Sequence, residues 1–204
     1  LHPSSKNIED FVPGEILHHG SVQITPFRHR EYIKKFKKNY LLSIEHADMR
    51  SVGLIDPDKD LKRTAFNIEN PAFVNQGYLF NVGFGLSVHD ISFNAIANLS
   101  YKNLQYGSPV FEGDVLFAKS QVLGIEVKKD GASNGSVQVK TTVTNQRDEM
   151  VLEYVRQVLV RTREGNTVDA QTNLEPQPEK IDLNQISLPL KFNNLNNDFS
   201  FPRE

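Results

Sequence analysis

The sequence predicts an α+β fold in which an antiparallel sheet is long enough to curl round one buried helix. Three observations carry this. Phe73, Tyr78, Leu79, Phe80, Val82 and Phe84 surround a helix rather than forming a stripe, which predicts burial on most sides. From Ser92 to Tyr101 the residues alternate, with Phe93, Ala95, Ala97, Leu99 and Tyr101 on one face and Asn94, Asn98 and Ser100 on the other. Finally, three long strand-like segments follow one another through short loops, which demands an antiparallel meander.

Taken in order, Leu1–Asp10 is polar, and Phe11-Val12-Pro13-Gly14-Glu15 reads as a turn. Ile16 to Thr25 is the first strand, with Val22 and Ile24 alternating against Gln23 and Thr25. Thr25-Pro26 starts a helix that places Ile33, Phe36 and Tyr40 on one face. Its other face carries Arg28, Arg30, Lys34, Lys35, Lys37 and Lys38, read as a solvated side rather than a phosphate patch. Leu41 to Leu54 holds a short helix. The alternating aspartates of Asp56-Pro57-Asp58-Lys59-Asp60 lack the glycine and closing glutamate of a calcium loop, so they form a charged surface loop.

The central helix is expected from Asn70-Pro71 to about Leu86. Gly77, Gly83 and Gly85 each lower helix propensity by roughly 1 kcal/mol against alanine, which points to a backbone pressed against a sheet. Beyond Tyr101, Pro109-Val110 and Glu112-Gly113-Asp114 supply turns, with Asp114 opening a strand over Val115–Val127. A hairpin loop at 128–135 leads into alternating Val137, Val139, Thr141 and Val143. A turn at Gln146–Glu149 precedes the last strand, Val151–Arg163. Residues 1–165 thus form one domain. Residues 166–204, with Pro176, Pro178, Pro189 and four asparagines between 193 and 197, form an extended arm or linker.

Composition narrows the function. A net charge of -2 offers no argument for nucleic acid or a membrane surface. The absence of cysteine removes disulfides, thiolate catalysis and thiolate zinc sites, and fits a cytoplasmic protein. No apolar run approaches the ~18 residues of a membrane-spanning helix. His18, His19, His29 and His46 have no ligand spacing, so no metal is expected. Ser87, Ser92 and Ser108 sit in no Gly-x-Ser-x-Gly elbow. His89-Asp90 is the sole adjacent His/Asp pair and the candidate catalytic pair, although neighbours on a strand or turn point apart. The plain alternative for Asp90 is a turn acceptor where helix passes into strand.

Several motifs carry a resemblance. They are Phe84-Gly85, Asp90-Ile91-Ser92, Asn94-Ala95, Ala97-Asn98-Leu99, Pro109-Val110, Gly113-Asp114, Val122-Leu123-Gly124 running into Lys128, Asn145-Gln146, Tyr154-Val155-Arg156 and Val160-Arg161. With Ile8-Glu9-Asp10-Phe11 and Pro13-Gly14, this pattern resembles the MaoC-like dehydratase/hydratase family, and within it the N-terminal half of the mesaconyl-CoA hydratases. The likeness covers roughly Ile8 to Arg163.

The resemblance implies a hotdog fold and reversible addition of water to an enoyl-CoA, with the thioester as substrate and no cofactor. That chemistry requires a base for water, an acid for the neighbouring carbon, and N–H donors for the thioester oxygen. Active members use a segment like D-x-N-P-[LIV]-H. Here Ile68-Glu69-Asn70-Pro71-Ala72-Phe73 puts Ile68 and Phe73 where the aspartate and histidine belong, and neither can move a proton. The chain therefore reads as the half of a double-hotdog enzyme without the reacting pair. Its expected partners are an acyl-CoA and a second hotdog domain, joined through the arm or as a dimer. Asn81, Asn94 and Arg156 are the candidates for substrate contact, with Arg161 and Arg163 also able to meet CoA phosphates. Two alternatives remain: a thioesterase using Glu69, Asp90 or Glu112, and an acyl-CoA-binding subunit without activity.

Overall fold

The computed structural model describes residues 6–36 and 71–177. The expected helix within Leu41–Leu54, the acidic loop at Asp56–Asp60, and Tyr40, His46 and Glu69 lie outside these residues. A 3-10 turn at Ile8–Asp10 leads to β1 (Ile16–Gln23) and α1 (Pro26–Phe36). The central helix α2 (Gln76–Ser87) passes into a π-helical turn, Val88–Ser92. There follow β2 (Ala95–Tyr106), β3 (Val115–Val127), β4 (Asn134–Thr144), β5 (Met150–Arg161) and the two-residue β6 (Gln171–Thr172). All strands pair antiparallel in the order β1-β3-β4-β5-β2, with β6 beside the far end of β3. The meander over β3, β4 and β5 is the one expected from alternation. No helix among the described residues is long and apolar enough to cross a membrane.

Alternation decides which side chains meet α2. Leu116, Ala118 and Val122 of β3, Val137, Val139 and Val143 of β4, and Leu152, Tyr154, Val158 and Val160 of β5 are all buried, and together they supply much of the core. The core falls into two clusters, one including Phe11, Ile91, Val122, Val139 and Val158, the other Ile24, Leu79, Ala118, Val143 and Leu152. Gly83 sits where helix and sheet press closest: a Cβ there would stand 2.8 Å from Val143 Cγ2 and 3.1 Å from Leu152 Cδ2. Gly85, by contrast, faces open space.

Two expectations for α2 need correction. The helix begins at Gln76, because the Asn75 side chain accepts from the N–H groups of Gly77 and Tyr78 and caps it there. Residues 71–74 are instead extended: Val74 N–H donates to Val110 O and Glu112 N–H to Ala72 O. Proline tolerates either conformation, and this ladder decides for the second. Nor is α2 enclosed on most sides. Leu79, Gly83 and Ser87 are buried, but Gly77, Asn81 and Gly85 form an exposed stripe at four-residue spacing.

β2 also departs from its reading. It starts at Ala95, and its pairing with β5 shifts register three times, so the clean alternation is broken. Ile96, Leu99, Tyr101 and Leu104 remain exposed along it, with Phe93 just before. The arm after Arg163 is not loose at its start. Val168 bridges to Ala132, and β6 pairs with β3. Asn173 N–H donates to Ile125 O, Glu175 N–H to Gln138 Oε1, and Asn103 Nδ2 to Gln177 Oε1. The arm thus crosses the outer face of the sheet from β3 towards β2.

A Gly83→Val substitution forces branched carbon into the contact with Val143 and Leu152, and should destabilise the chain by about 1–3 kcal/mol. Urea denaturation checks it; an unchanged midpoint would show that α2 can lift from the sheet without loss.

Candidate functional site

Beneath the second half of α2, the inward-facing row of the sheet turns polar. It runs from His19 on β1 through Ser120 on β3 and Thr141 on β4 to Tyr154 and Arg156 on β5. Ala118 and Val122 flank Ser120 on the same face, and Val139 and Val143 flank Thr141. The two apolar clusters are therefore parted by a belt of buried polar groups.

His19 reaches this belt through a β-bulge. Pairing of β1 with β3 shifts between His18 and Ser21, where Gly20 adopts a φ of +82°. Before the bulge Leu17 and His19 turn inward; after it Val22 and Ile24 do. Alternation counted back from Val22 and Ile24 points His19 outward, so the sequence reading missed it. Glycine inside a strand pattern was the available signal.

Within the belt, His19 Nδ1 lies 2.6 Å from Asp90 Oδ2 and His19 Nε2 lies 2.8 Å from Ser120 Oγ. Ser120 Oγ is in turn 2.8 Å from Thr141 Oγ1. Hydrogen bonds from His19 and His89 outweigh the upward push of burial and hold the Asp90 carboxyl below its usual range. Burial pulls the His19 imidazole down, with Asp90 only partly offsetting it. Neutral His19 then donates from Nδ1 to Asp90, Ser120 donates to Nε2, and Thr141 donates to Ser120. The order Ser–His–Asp is that of a nucleophile relay, but Ser120 is 0% exposed and its hydroxyl is held between His19 and Thr141.

The other end of the belt is built differently. Arg156 is wholly buried; its Nη2 donates to Ser87 Oγ at 3.0 Å, and its guanidinium lies 4.9 Å from the Phe84 ring centroid. Burial pulls the Arg156 guanidinium down and pushes the Tyr154 phenol up. A second buried set stands at the start of α2. His29 Nδ1 donates to Glu112 Oε1 at 2.9 Å, while its Nε2 accepts from Asn75 N–H at 3.0 Å. Ala72 N–H donates to Glu112 Oε2 at 3.3 Å. This set fastens α1 to the cap of α2.

The remaining candidates distribute as follows. His89 and Asp90 do meet, with Nδ1 3.2 Å from Oδ1, contrary to the expectation that neighbours point apart. The reason is that Val88–Ser92 is still helical, where successive side chains do not alternate across a sheet. Asp90 is the junction acceptor proposed for it, its unforeseen partner being His19. Asn81, on the exposed stripe of α2, donates to Tyr32 OH. Asn94 donates to Lys6 O and Asn7 Oδ1 and pins the N-terminal segment. Arg156 is sealed from a surface phosphate, whereas Arg161 is exposed and Arg163 binds Asp10. Glu112, a thioesterase candidate, is 0% exposed. Asp114 accepts from Phe111 N–H as a turn residue, and burial raises its carboxyl. A groove of about 730 Å³ bordered by Lys128, Asn134, Gln157 and Leu159 lies on the outer face, away from the belt. No cluster of metal-ligating side chains occurs among the described residues.

An open antiparallel sheet carrying one central helix defines a hotdog protein. Residues 81–154 match a family described as the FAS1-like dehydratase domain region. The chain is 40% identical over 111 residues to a β-methylmalyl-CoA dehydratase of Chloroflexus aurantiacus, covering 54% of this chain and 31% of that protein. It is 47% identical over 91 residues to a mesaconyl-CoA hydratase of Cereibacter sphaeroides, covering 45% and 26%. Among solved structures, it superposes on a MaoC domain protein dehydratase of Chloroflexus aurantiacus with TM-score 0.77 and 30% identity, over 93% of this chain and 49% of that one. A Mycobacterium tuberculosis protein described as a double hotdog gives TM-score 0.69 at 16% identity, over 83% and 48%. The chain has the hotdog fold and is similar in sequence to MaoC-like dehydratases and hydratases. It spans about a third or less of the two curated relatives and about half of these two solved structures.

Because the folded His19 lies below its ordinary 6.5, its contribution to stability is fully present above that pH and is lost as pH falls through the folded value. The Asp90 contribution is present above 3.8 and lost as pH falls through its own depressed value. The urea midpoint should therefore drop between about pH 7.5 and about pH 5.5, and His19→Gln, which takes up no proton, should flatten that drop. Equal slopes in the two chains would contradict the assignment.

Proposed function

We propose that this chain is the non-reacting half of a double-hotdog hydratase/dehydratase, which reversibly adds water to a short branched enoyl-CoA such as mesaconyl-CoA. The likeness to proteins named for that chemistry supports the reaction class. One observation carries the silent role: the start of α2 is closed by its own residues. Hydration develops negative charge on the thioester oxygen, and a helix N-terminus can hold it with free N–H groups. Here the Asn75 side chain takes the N–H groups of Gly77 and Tyr78, and the nearby His29–Glu112 pair is fully buried. Among the described residues, two of the helix's first N–H groups are therefore taken and the adjacent His–Glu pair is shut from solvent.

In this reading, 1–165 is the hotdog domain and 166–204 the arm towards a second one. The exposed apolar row of Phe93, Ile96, Leu99, Tyr101 and Leu104 favours pairing of β2 with another hotdog. Acid–base hydration needs the CoA thioester as substrate and no cofactor.

The chain alone should leave the enoyl absorbance of mesaconyl-CoA unchanged. Adding a hotdog half that carries Asp-x-Asn-Pro-x-His should raise the rate by about 10²–10⁴-fold, the usual contribution of a positioned acid or base. Turnover by this chain alone would remove the silent-half reading, and no turnover by the assembled pair would remove the hydratase.

A further inference from the structure

The polar belt ends in a surplus of donors. At its Arg156 end, the buried Nε and Nη1 of the guanidinium and the buried Tyr154 hydroxyl have no hydrogen-bond partner among the described residues. The hydroxyls nearby, of Ser87, Thr141 and Tyr101, are neutral and bring no counter-charge. Ser87 accepts from Arg156 Nη2 and donates to Phe84 O, while Thr141 is engaged with Ser120. The belt's one carboxylate, Asp90, stands at the opposite end and is held by His19 and His89. Arginine does not shed its proton, so a full positive charge is buried with no carboxylate from the described residues beside it. A water molecule would satisfy a donor and leave the charge. A carboxylate answers both.

We infer that Arg156 and Tyr154 form a binding site for the carboxylate of a small organic acid or of an acyl thioester bearing a second, free carboxylate. Phe84 of α2, partly exposed, and Tyr101 of β2, 43% exposed, pack ring to ring at 6.4 Å over these donors, so a ligand would enter by parting the two rings. Phe80, 5.8 Å from Tyr101 and 5.2 Å from Tyr154, offers the carbon skeleton of the ligand an apolar wall. The thioester form rests on the acyl-CoA reading; the carboxylate site itself rests on the unpaired donors.

The test uses the whole chain with three probes: mesaconate, mesaconyl-CoA, and crotonyl-CoA, which lacks the second carboxylate. By calorimetry, mesaconyl-CoA should bind about tenfold or more tightly than crotonyl-CoA, and mesaconate should raise the thermal midpoint. Arg156→Met should abolish that preference, and Tyr154→Phe should weaken it. Without ligand, the Arg156→Met chain should melt at the same temperature as the parent or higher, because it loses a buried charge that lacks a counter-ion. Equal affinity for the two thioesters would overturn the site. So would a large fall in the ligand-free midpoint of Arg156→Met, which would mean that this chain or a second copy already supplies the carboxylate. The two readings fail separately. Loss of preference with turnover intact in the assembled enzyme removes only the site, and preference without turnover removes only the hydratase.

Discussion

The hydrogen-bonded line that crosses the inner face of the sheet is the constraint on which the rest of the structure depends. A buried polar group without a partner costs several kcal/mol, so each member of the line dictates the position of the next. His19 needs Asp90, and Asp90 reaches it from the π-helical turn that ends α2. Had α2 stopped cleanly at Ser87, the carboxylate would stand elsewhere. Likewise β1 needs its bulge at Gly20, for an unbroken strand could not turn both His19 and Ile24 inward. The belt also parts the core into two clusters, tying β1, β3, β4 and β5 together at mid-height.

The same belt is unevenly satisfied. Its Asp90 end has acceptor and donors in balance, while its Arg156 end carries charge and donors without an acceptor. That end lies beside β2, the strand whose apolar residues are left most exposed. The arm approaches the same strand from the outer face, meeting Asn103 through Gln177. Unfilled bonding capacity, exposed apolar surface and the departing chain converge on one margin of the sheet. The opposite margin, β1, is bound to β3 and to the core, with Val122 N–H donating to Glu15 O and Gly14 N–H to Val122 O just before it. Among the described residues, β1 and β2 are the two edge strands of this sheet, and β2 carries the longer exposed apolar row.

Much of this was legible in the residues. β3 has the limits that alternation and turn chemistry set for it, and the meander followed from three long strands joined by short loops. Gly83 was readable as a point of close approach, though Gly85 looked the same in sequence and touches nothing. Asp90 was recognised as the acceptor at the helix-to-strand junction, but not its bond to His19, 71 residues away. The start of α2 was misplaced because Asn70-Pro71 and Asn75 are both plausible caps. Only pairing of 72–74 with 110–112 chooses between them.

Residue order alone established the fold class, the strand meander and the absence of the Asp/His pair at Ile68 and Phe73, because local periodicity and residue chemistry are properties of short windows. The polar belt could not be read that way. It joins one or two residues from each of four strands with a helical turn, each in a segment that reads as ordinary apolar alternation. Its parity is reset by a bulge, whose effect is felt only once two strands pair. Whether Arg156 lies on the surface or beneath Phe84 was likewise decided by long-range packing, and with it whether the residue suits a phosphate outside or a carboxylate within.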